Sequence, residues 1–254
     1  MLERKRIFIT GASKGIGKAL ALKYANRGEE LFLVARNIDE LSALVNQINT
    51  KGGKAHFAHL DVTNREEYKT VINQTNDLMG GIDLAILNAG VSIHTHFVDY
   101  NSDNLRETIE TNLFGVAYGL EYIIPLMKSQ GNGTIAGVSS IADFRGVPGS
   151  SSYSASKSAV SYLLESARPE LKPLGIDIVT IRFGFIKTDM TKKNDFYMPL
   201  LLTPEYTADK IVSGLDRGKR KIQFPWQMVL LTNIVRLLPY QIYENVISMR
   251  IRKK

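Results

Sequence analysis

Tyr153 and Lys157 stand four residues apart in the run Tyr153-Ser154-Ala155-Ser156-Lys157. On a helix, side chains at i and i+4 share a face, so an ammonium would lie beside a phenol. A neighbouring cation lowers the pKa of a tyrosine from about 10 toward neutrality and makes its hydroxyl a usable proton donor or acceptor. Taken alone, that spacing also marks many solvated helix faces. A second candidate is Thr10-Gly11-Ala12-Ser13-Lys14-Gly15-Ile16-Gly17, between a short apolar run and a helical one. Glycines there let backbone approach a pyrophosphate, and a helix N-terminus offers free N–H groups to an anion. Its spacing is Gly-x-x-x-Gly-x-Gly rather than Gly-x-Gly-x-x-Gly, and alone it reads equally as a tight turn.

The elements that must position these groups follow from periodicity. Apolar runs at Lys5–Thr10, Leu31–Ala35, Ala55–Leu60, Ile82–Leu87, Gly133–Ser139 and Asp177–Arg182 predict six strands, with Ile222–Phe224 as a seventh. Between them, helical spacing predicts helices from Ile16 toward Gly28, over Asp39–Ile48, Arg65–Leu78, Leu105–Met127 and Ser154–Leu171. Continuous apolar strands separated by amphipathic helices mean βαβ units and a parallel sheet covered on both faces. The expected fold is α/β, Rossmann-like and doubly wound, with ligands at the carboxyl ends of the strands. One domain spanning residues 1–254 is expected, because no linker, low-complexity tract or short-period repeat interrupts the 254 residues.

Composition narrows the chemistry. Hydrophobic residues at 44% and charged residues at 22% suit a globular protein with a sizeable core. The absence of cysteine excludes disulfides, thiolate nucleophiles and cysteine-ligated metals, and suits a reducing cytoplasm. The apolar stretch after the basic start, Ile7-Phe8-Ile9, is too short for an export signal. His94-x-His96 and the pair His56/His59 have no carboxylate or cysteine partner in convincing spacing, so no metal is expected.

Together with Asn88-Ala89-Gly90 after the fourth strand, Asn112 in the long helix and Ser140 after the fifth, the glycine turn and Tyr153/Lys157 form an ordered set. That set resembles the short-chain dehydrogenase/reductase family, across roughly residues 4–215. The resemblance implies that Tyr153 is the proton donor and acceptor, while Lys157 lowers its pKa and holds the nicotinamide ribose. It implies that Ser140 orients a carbonyl oxygen and that Asn112 anchors a water in the proton relay. Hydroxyls placed there stabilise the charge that develops on the substrate oxygen as hydride is transferred. The family's serine stands thirteen residues before its tyrosine, which selects Ser140, with Ser139 as the alternative because strand neighbours point to opposite sides.

For the cofactor, the resemblance implies contacts from Gly11, Ser13, Lys14, Gly15, Ile16 and Gly17. It further places Asp61 and Val62 at the adenine and Asn88 at the adenosine ribose, with Ala89 and Gly90 beside it. The backbone amide of Ile186 would bind the carboxamide and the hydroxyl of Thr188 a phosphate. Phe183-Gly184 departs from the usual Pro-Gly, and Leu87 from a common asparagine. NAD-specific sheets end their second strand with an acid for the ribose 2′-hydroxyl. Here Arg36 stands at that place and Lys14 is a second cation nearby, a pairing suited to the 2′-phosphate of NADP(H). The plainer reading of Arg36 is a surface residue.

The charge is segregated. From Lys219 to Lys254 eight basic residues (Lys219, Arg220, Lys221, Arg236, Arg250, Arg252, Lys253, Lys254) face one acid, Glu244, so this tail holds the whole net charge of +7. It interleaves these with Trp226, Leu230, Leu231, Leu237, Leu238, Tyr240 and Tyr243, but Asn233, Arg236 and Pro239 interrupt it too often for a spanning helix. A pair of short helices resting on anionic lipid has this composition. The alternative is packing on its own domain or a partner subunit; nucleic acid is not expected.

The resulting expectation is an NADP(H)-dependent oxidoreductase that reduces a ketone or aldehyde, or oxidises the matching alcohol, by hydride transfer. Its substrate is lipophilic, because the Leu33–Leu41 stretch and the tail loosely resemble lipid ketone reductases such as those acting on 3-ketosphinganine. A cytoplasmic homo-oligomer, dimer or tetramer, is expected, with peripheral contact to the cytoplasmic face of a membrane through the tail. The contrasting expectation is a non-catalytic NADP(H)-binding regulator or scaffold, which has no use for Asn112, Ser140, Tyr153 and Lys157 together.

Overall fold

The structure, a computed structural model, describes residues 4–192 and 194–251. The basic side chains expected at Arg250, Arg252, Lys253 and Lys254 lie outside what it describes. Seven strands form one parallel sheet in the order β3-β2-β1-β4-β5-β6-β7. They are β1 (Arg6–Thr10), β2 (Glu30–Ala35), β3 (Lys54–His59), β4 (Leu84–Leu87), β5 (Gly133–Val138), β6 (Ile176–Phe183) and β7 (Lys221–Phe224). The helices are α1 (Gly15–Ala25), α2 (Ile38–Thr50), α3 (Arg65–Met79), α4 (Ser102–Ile109), α5 (Gly115–Gln130), α6 (Ser151–Leu171), α7 (Asp189–Lys192), α8 (Pro204–Asp216), α9 (Trp226–Leu237) and α10 (Tyr240–Ile251). The winding reverses between β1 and β4, which opens a crevice at the carboxyl edge.

Alternation along the strands divides the core into two layers. Ile7, Ile9, Leu31 and Leu33 point to one face, against Leu20 and Tyr24 of α1, Leu41 and Val45 of α2, and Ile211 and Val212 of α8. Phe8, Phe32 and Val34 point to the other, against Tyr68 and Ile72 of α3, Val116 and Leu120 of α5, and Val160 and Leu164 of α6.

Three elements differ from the periodicity reading. The stretch expected as one helix over Leu105–Met127 is α4, a π-helical turn at Glu110–Phe114 and α5. An apolar pattern does not register one extra residue in a turn. α7 and α8 were not anticipated, although Thr203-Pro204 carries a helix-start signal: Thr203 accepts from the Tyr206 N–H with proline at the first position. The expected pair of short tail helices is α9 and α10, and no described helix is long and apolar enough to cross a membrane.

Candidate active site

The glycine turn is shaped as an anion cradle. Gly11 (φ +64°) and Gly15 (φ +52°) take left-handed backbone, and a Cβ on Gly17 would lie 2.2 Å from the Gly11 carbonyl oxygen. Only glycine lets α1 start this close to β1. α1 begins with no acidic residue in its first turn and no side-chain cap at Lys14, so its amino end stays open to an anion. Ser13 and Ile16 are half-buried along the same turn. The turn is clasped from β4: the Thr10 hydroxyl accepts from the N–H of Asn88 at 2.9 Å and of Ala89 at 3.0 Å. The Asn88 amide donates to the carbonyls of Thr10 and Gly11 at 3.0 and 3.2 Å, so it works here as a brace for the turn. Across the cradle, a Cβ on Gly15 would meet the Thr188 side chain at 3.2 Å. Buried Ile186 is held by a bridge to Leu202. Such a cradle fits the pyrophosphate of a dinucleotide. Asp61, which accepts from the Thr63 N–H and hydroxyl, and buried Val62, the pair expected at the adenine, follow β3.

At the reaction end, the two serines after β5 separate cleanly. Ser139 donates to the Lys157 carbonyl at 2.8 Å and is bonded to the Ser161 hydroxyl at 2.7 Å, so it is turned into α6. Ser140 accepts from the Ala142 N–H at 3.1 Å and is hydrogen-bonded to the Tyr153 phenol. Burial raises the Tyr153 pKa above its ordinary value; the Ser140 hydrogen bond pulls it down and the Asp143 carboxylate pushes it up again. The lysine effect expected from the i, i+4 spacing is not the governing one. Lys157, only 3% exposed, lies 5.8 Å from the Tyr153 ring centroid and donates to the Val138 carbonyl at 2.9 Å. Burial lowers its own pKa to about 8, so above that pH its cationic form is lost. Gly90 makes room for it: a Cβ there would stand 3.4 Å from the ammonium nitrogen and 3.0 Å from the Asn112 carbonyl oxygen. Asn112, in the π-helical turn, accepts from the Val91 N–H at 2.7 Å and donates to the Val91 carbonyl and the Ser156 hydroxyl, each at 2.9 Å. Both of its amide donors are thus engaged within the protein.

Behind the serines lies a charged network that sequence reasoning missed. Asp143 pairs with Arg182 at the end of β6, and their side chains keep only 5% and 9% of their surface. The Ser161 hydroxyl donates to Asp143 at 2.5 Å, Ser158 donates to its carbonyl at 3.1 Å, and Arg182 reaches Gln223 of β7. The pair ties the turn after Ser140 to α6 and β6. The signal was Arg182 itself, a guanidinium inside an apolar strand, which needs a buried partner.

The cofactor-specificity end departs from expectation. Arg36 is exposed after β2. Lys14 is not a second free cation: it pairs with Glu40 at 2.9 Å. Glu40 is the third residue of α2, and the Asn37 cap that accepts from its N–H sets the start of that helix. Two of the four histidines also gain partners hidden from sequence spacing, His56 with Glu30 at 3.0 Å and His59 with Glu67 at 2.5 Å.

A doubly wound sheet with a pyrophosphate cradle beside a serine–tyrosine–lysine cluster defines a nicotinamide-dinucleotide oxidoreductase. The short chain dehydrogenase profile matches residues 5–196. An uncharacterized oxidoreductase of Myxococcus xanthus is 35% identical over 236 residues, covering 93% of each chain. An alcohol dehydrogenase from the archaeon Thermococcus sibiricus, solved with 5-hydroxy-NADP, superposes with TM-score 0.79 at 26% identity, covering 87% of this chain and 95% of that one. A short chain dehydrogenase/reductase from Burkholderia phymatum in complex with NAD shares the fold at TM-score 0.84 and 20% identity, covering 91% and 92%. The chain belongs to the short-chain dehydrogenase family, oxidoreductases that use NAD or NADP on small-molecule substrates.

Proposed function

We propose that this protein is an NADPH-dependent reductase of lipophilic ketones or aldehydes, working as one dehydrogenase domain. The observation that carries the reading is the convergence of Ser140, Tyr153 and Lys157 at the carboxyl end of β5, beside the glycine cradle. When bound, the dinucleotide supplies the hydride. Ser140 and Tyr153 hydrogen-bond the substrate oxygen where negative charge develops, and the Tyr153 phenol gives that oxygen its proton. A phenol whose pKa is raised stays protonated at neutral pH and is ready to donate. Lys157 holds the nicotinamide ribose and Asn112 steadies the segment after Gly90. Exposed Arg36 supports NADP(H) over NAD(H) by offering a guanidinium to a 2′-phosphate.

Lipophilicity is supported by topology. β5 lies between β4 and β6, so the loops leaving those two strands flank Ser140. They carry exposed Phe97, Val98 and Tyr100 on one side and Met190, Tyr197 and Leu200 on the other. We also propose a homo-oligomer in the cytoplasm whose tail touches the membrane surface. The test is NADPH oxidation with ketones of increasing chain length. Turnover should fall at least roughly 100-fold in Tyr153→Phe with NADPH affinity nearly unchanged. Retained turnover in that variant moves the proton donor elsewhere; a wild type inert on every carbonyl but binding NADPH is a regulator.

A further inference from the structure

We propose that the outward face of α9, with the cationic groove beside it along the free edge of β7, docks onto an anionic phospholipid bilayer. This rests on the tail contact proposed above and gives it a definite face. α9 is fixed to the body by its inner side: Thr232 is buried and Met228, Val229 and Val235 are half-buried. Arg145 donates to the Arg236 carbonyl at 3.0 Å and to the Leu238 carbonyl at 2.5 Å, and its guanidinium lies 4.9 Å from the Tyr243 ring. Tyr243 in turn donates to the Gly146 carbonyl at 2.6 Å.

The outer side is apolar as well. Trp226, Leu230, Ile234 and Leu237 recur at helical spacing as one stripe, with Leu231 beside it, and every one of them is more than half exposed. Tyr240, Ile242 and Val246 extend the exposed apolar surface along α10. A helix that is packed on its domain by one face has no internal use for leucines on the other.

Trp226 also borders a groove of about 610 Å³, walled by Leu200, Leu201 and Tyr206 and lined by Lys210, Arg217 and Lys219. No carboxylate lines it, and these three cations have no acidic partner among the described residues. Charge selects the occupant. A second copy would bring the same tail, with its surplus of seven positive charges, against the first. An anionic bilayer takes the tryptophan and leucines at its headgroup boundary and the cations at its phosphates. Leu200 and Leu201 belong to the segment that continues from Ile186 and Thr188, so the docked face adjoins the loop that borders the substrate mouth.

Co-sedimentation with phosphatidylcholine vesicles, with and without phosphatidylserine, tests the proposal. The protein should pellet with the anionic vesicles only, and added salt should release it. Trp226→Ser/Leu230→Ser/Ile234→Ser and, separately, Lys210→Glu/Arg217→Glu/Lys219→Glu should each weaken binding at least roughly tenfold. Both triple variants should keep the wild-type melting temperature and NADPH turnover on a soluble short-chain ketone, and that turnover reports on the reductase reading separately. Failure to pellet with either vesicle overturns both the face and the tail contact. Unchanged binding in both variants overturns the face alone, and a dimer that the serine variant dissociates makes a second copy the occupant.

Discussion

At the reaction end of the nucleotide groove, the Asp143 and Arg182 side chains keep 5% and 9% of their surface in solvent; at the specificity end, Lys14 and Glu40 keep 56% and 35%. Both are acid–base pairs flanking the candidate site, yet they obey different physics. In the buried pair each charge has left water and depends on its partner and on Ser161 and Gln223. In the more exposed pair water screens the ammonium, although the Glu40 Oε2 atom is buried without a hydrogen-bond partner, and the bond is exchanged more readily for another anion. Geometry at the reaction end is therefore rigid and coupled to folding, while the groups proposed to set cofactor preference can change partner.

The sharpest way to break that contrast is Asp143→Ala. It strands a buried guanidinium, and about 3–5 kcal/mol of stability should vanish in chemical denaturation. Adding Arg182→Met should restore much of it, because an apolar side chain needs no counter-charge. A single variant as stable as the wild type would show that the pair does not brace the turn.

Arg36→Asp probes the other end and should leave stability alone. NADPH binding should weaken by about 2–3 kcal/mol, roughly 30–150-fold, as one charge-assisted pairing is lost and a repulsion gained. NADH should be affected far less, and equal losses in a titration of both cofactors would show that Arg36 does not read the phosphate.

Glu40→Gln should have the smallest effect and the opposite sign. Releasing Lys14 should tighten NADPH by under about fivefold with the melting temperature unchanged. Weaker NADPH binding would instead mean that the carboxylate holds Lys14 where the phosphate needs it.

Residues that answer a local demand were legible in the chain. Gly11, Gly15 and Gly17 announce a turn that only glycine can make, and Tyr153 and Lys157 announce themselves by helical spacing. The inner strands were legible because their apolar runs are buried on both faces of a parallel sheet, while the edge strands β3 and β7 are only partly buried. Asp143, Glu30, Glu40 and Glu67 escaped notice because their partners are chosen by packing rather than spacing. Asp143 and Arg182 are 39 residues apart, and Lys14 meets Glu40 only because α1 and α2 lie on the same face of the sheet. The π-helical turn at Asn112 escaped for the same reason: backbone register answers to what the helix packs against.

The sequence by itself determined the doubly wound sheet, the cradle after β1, the order of the candidate catalytic side chains and the charge asymmetry of the tail. The sheet, the cradle and the tail charge rest on periodicity, glycine stereochemistry and residue type, which need no partner to be read, while the catalytic set was read from the family resemblance. The tertiary structure alone decided how Ser139 is tied into α6, that Lys14 is engaged by Glu40, and that α9 carries leucines on its outer face. Each of those depends on which surfaces meet, and desolvation makes that choice across the whole fold.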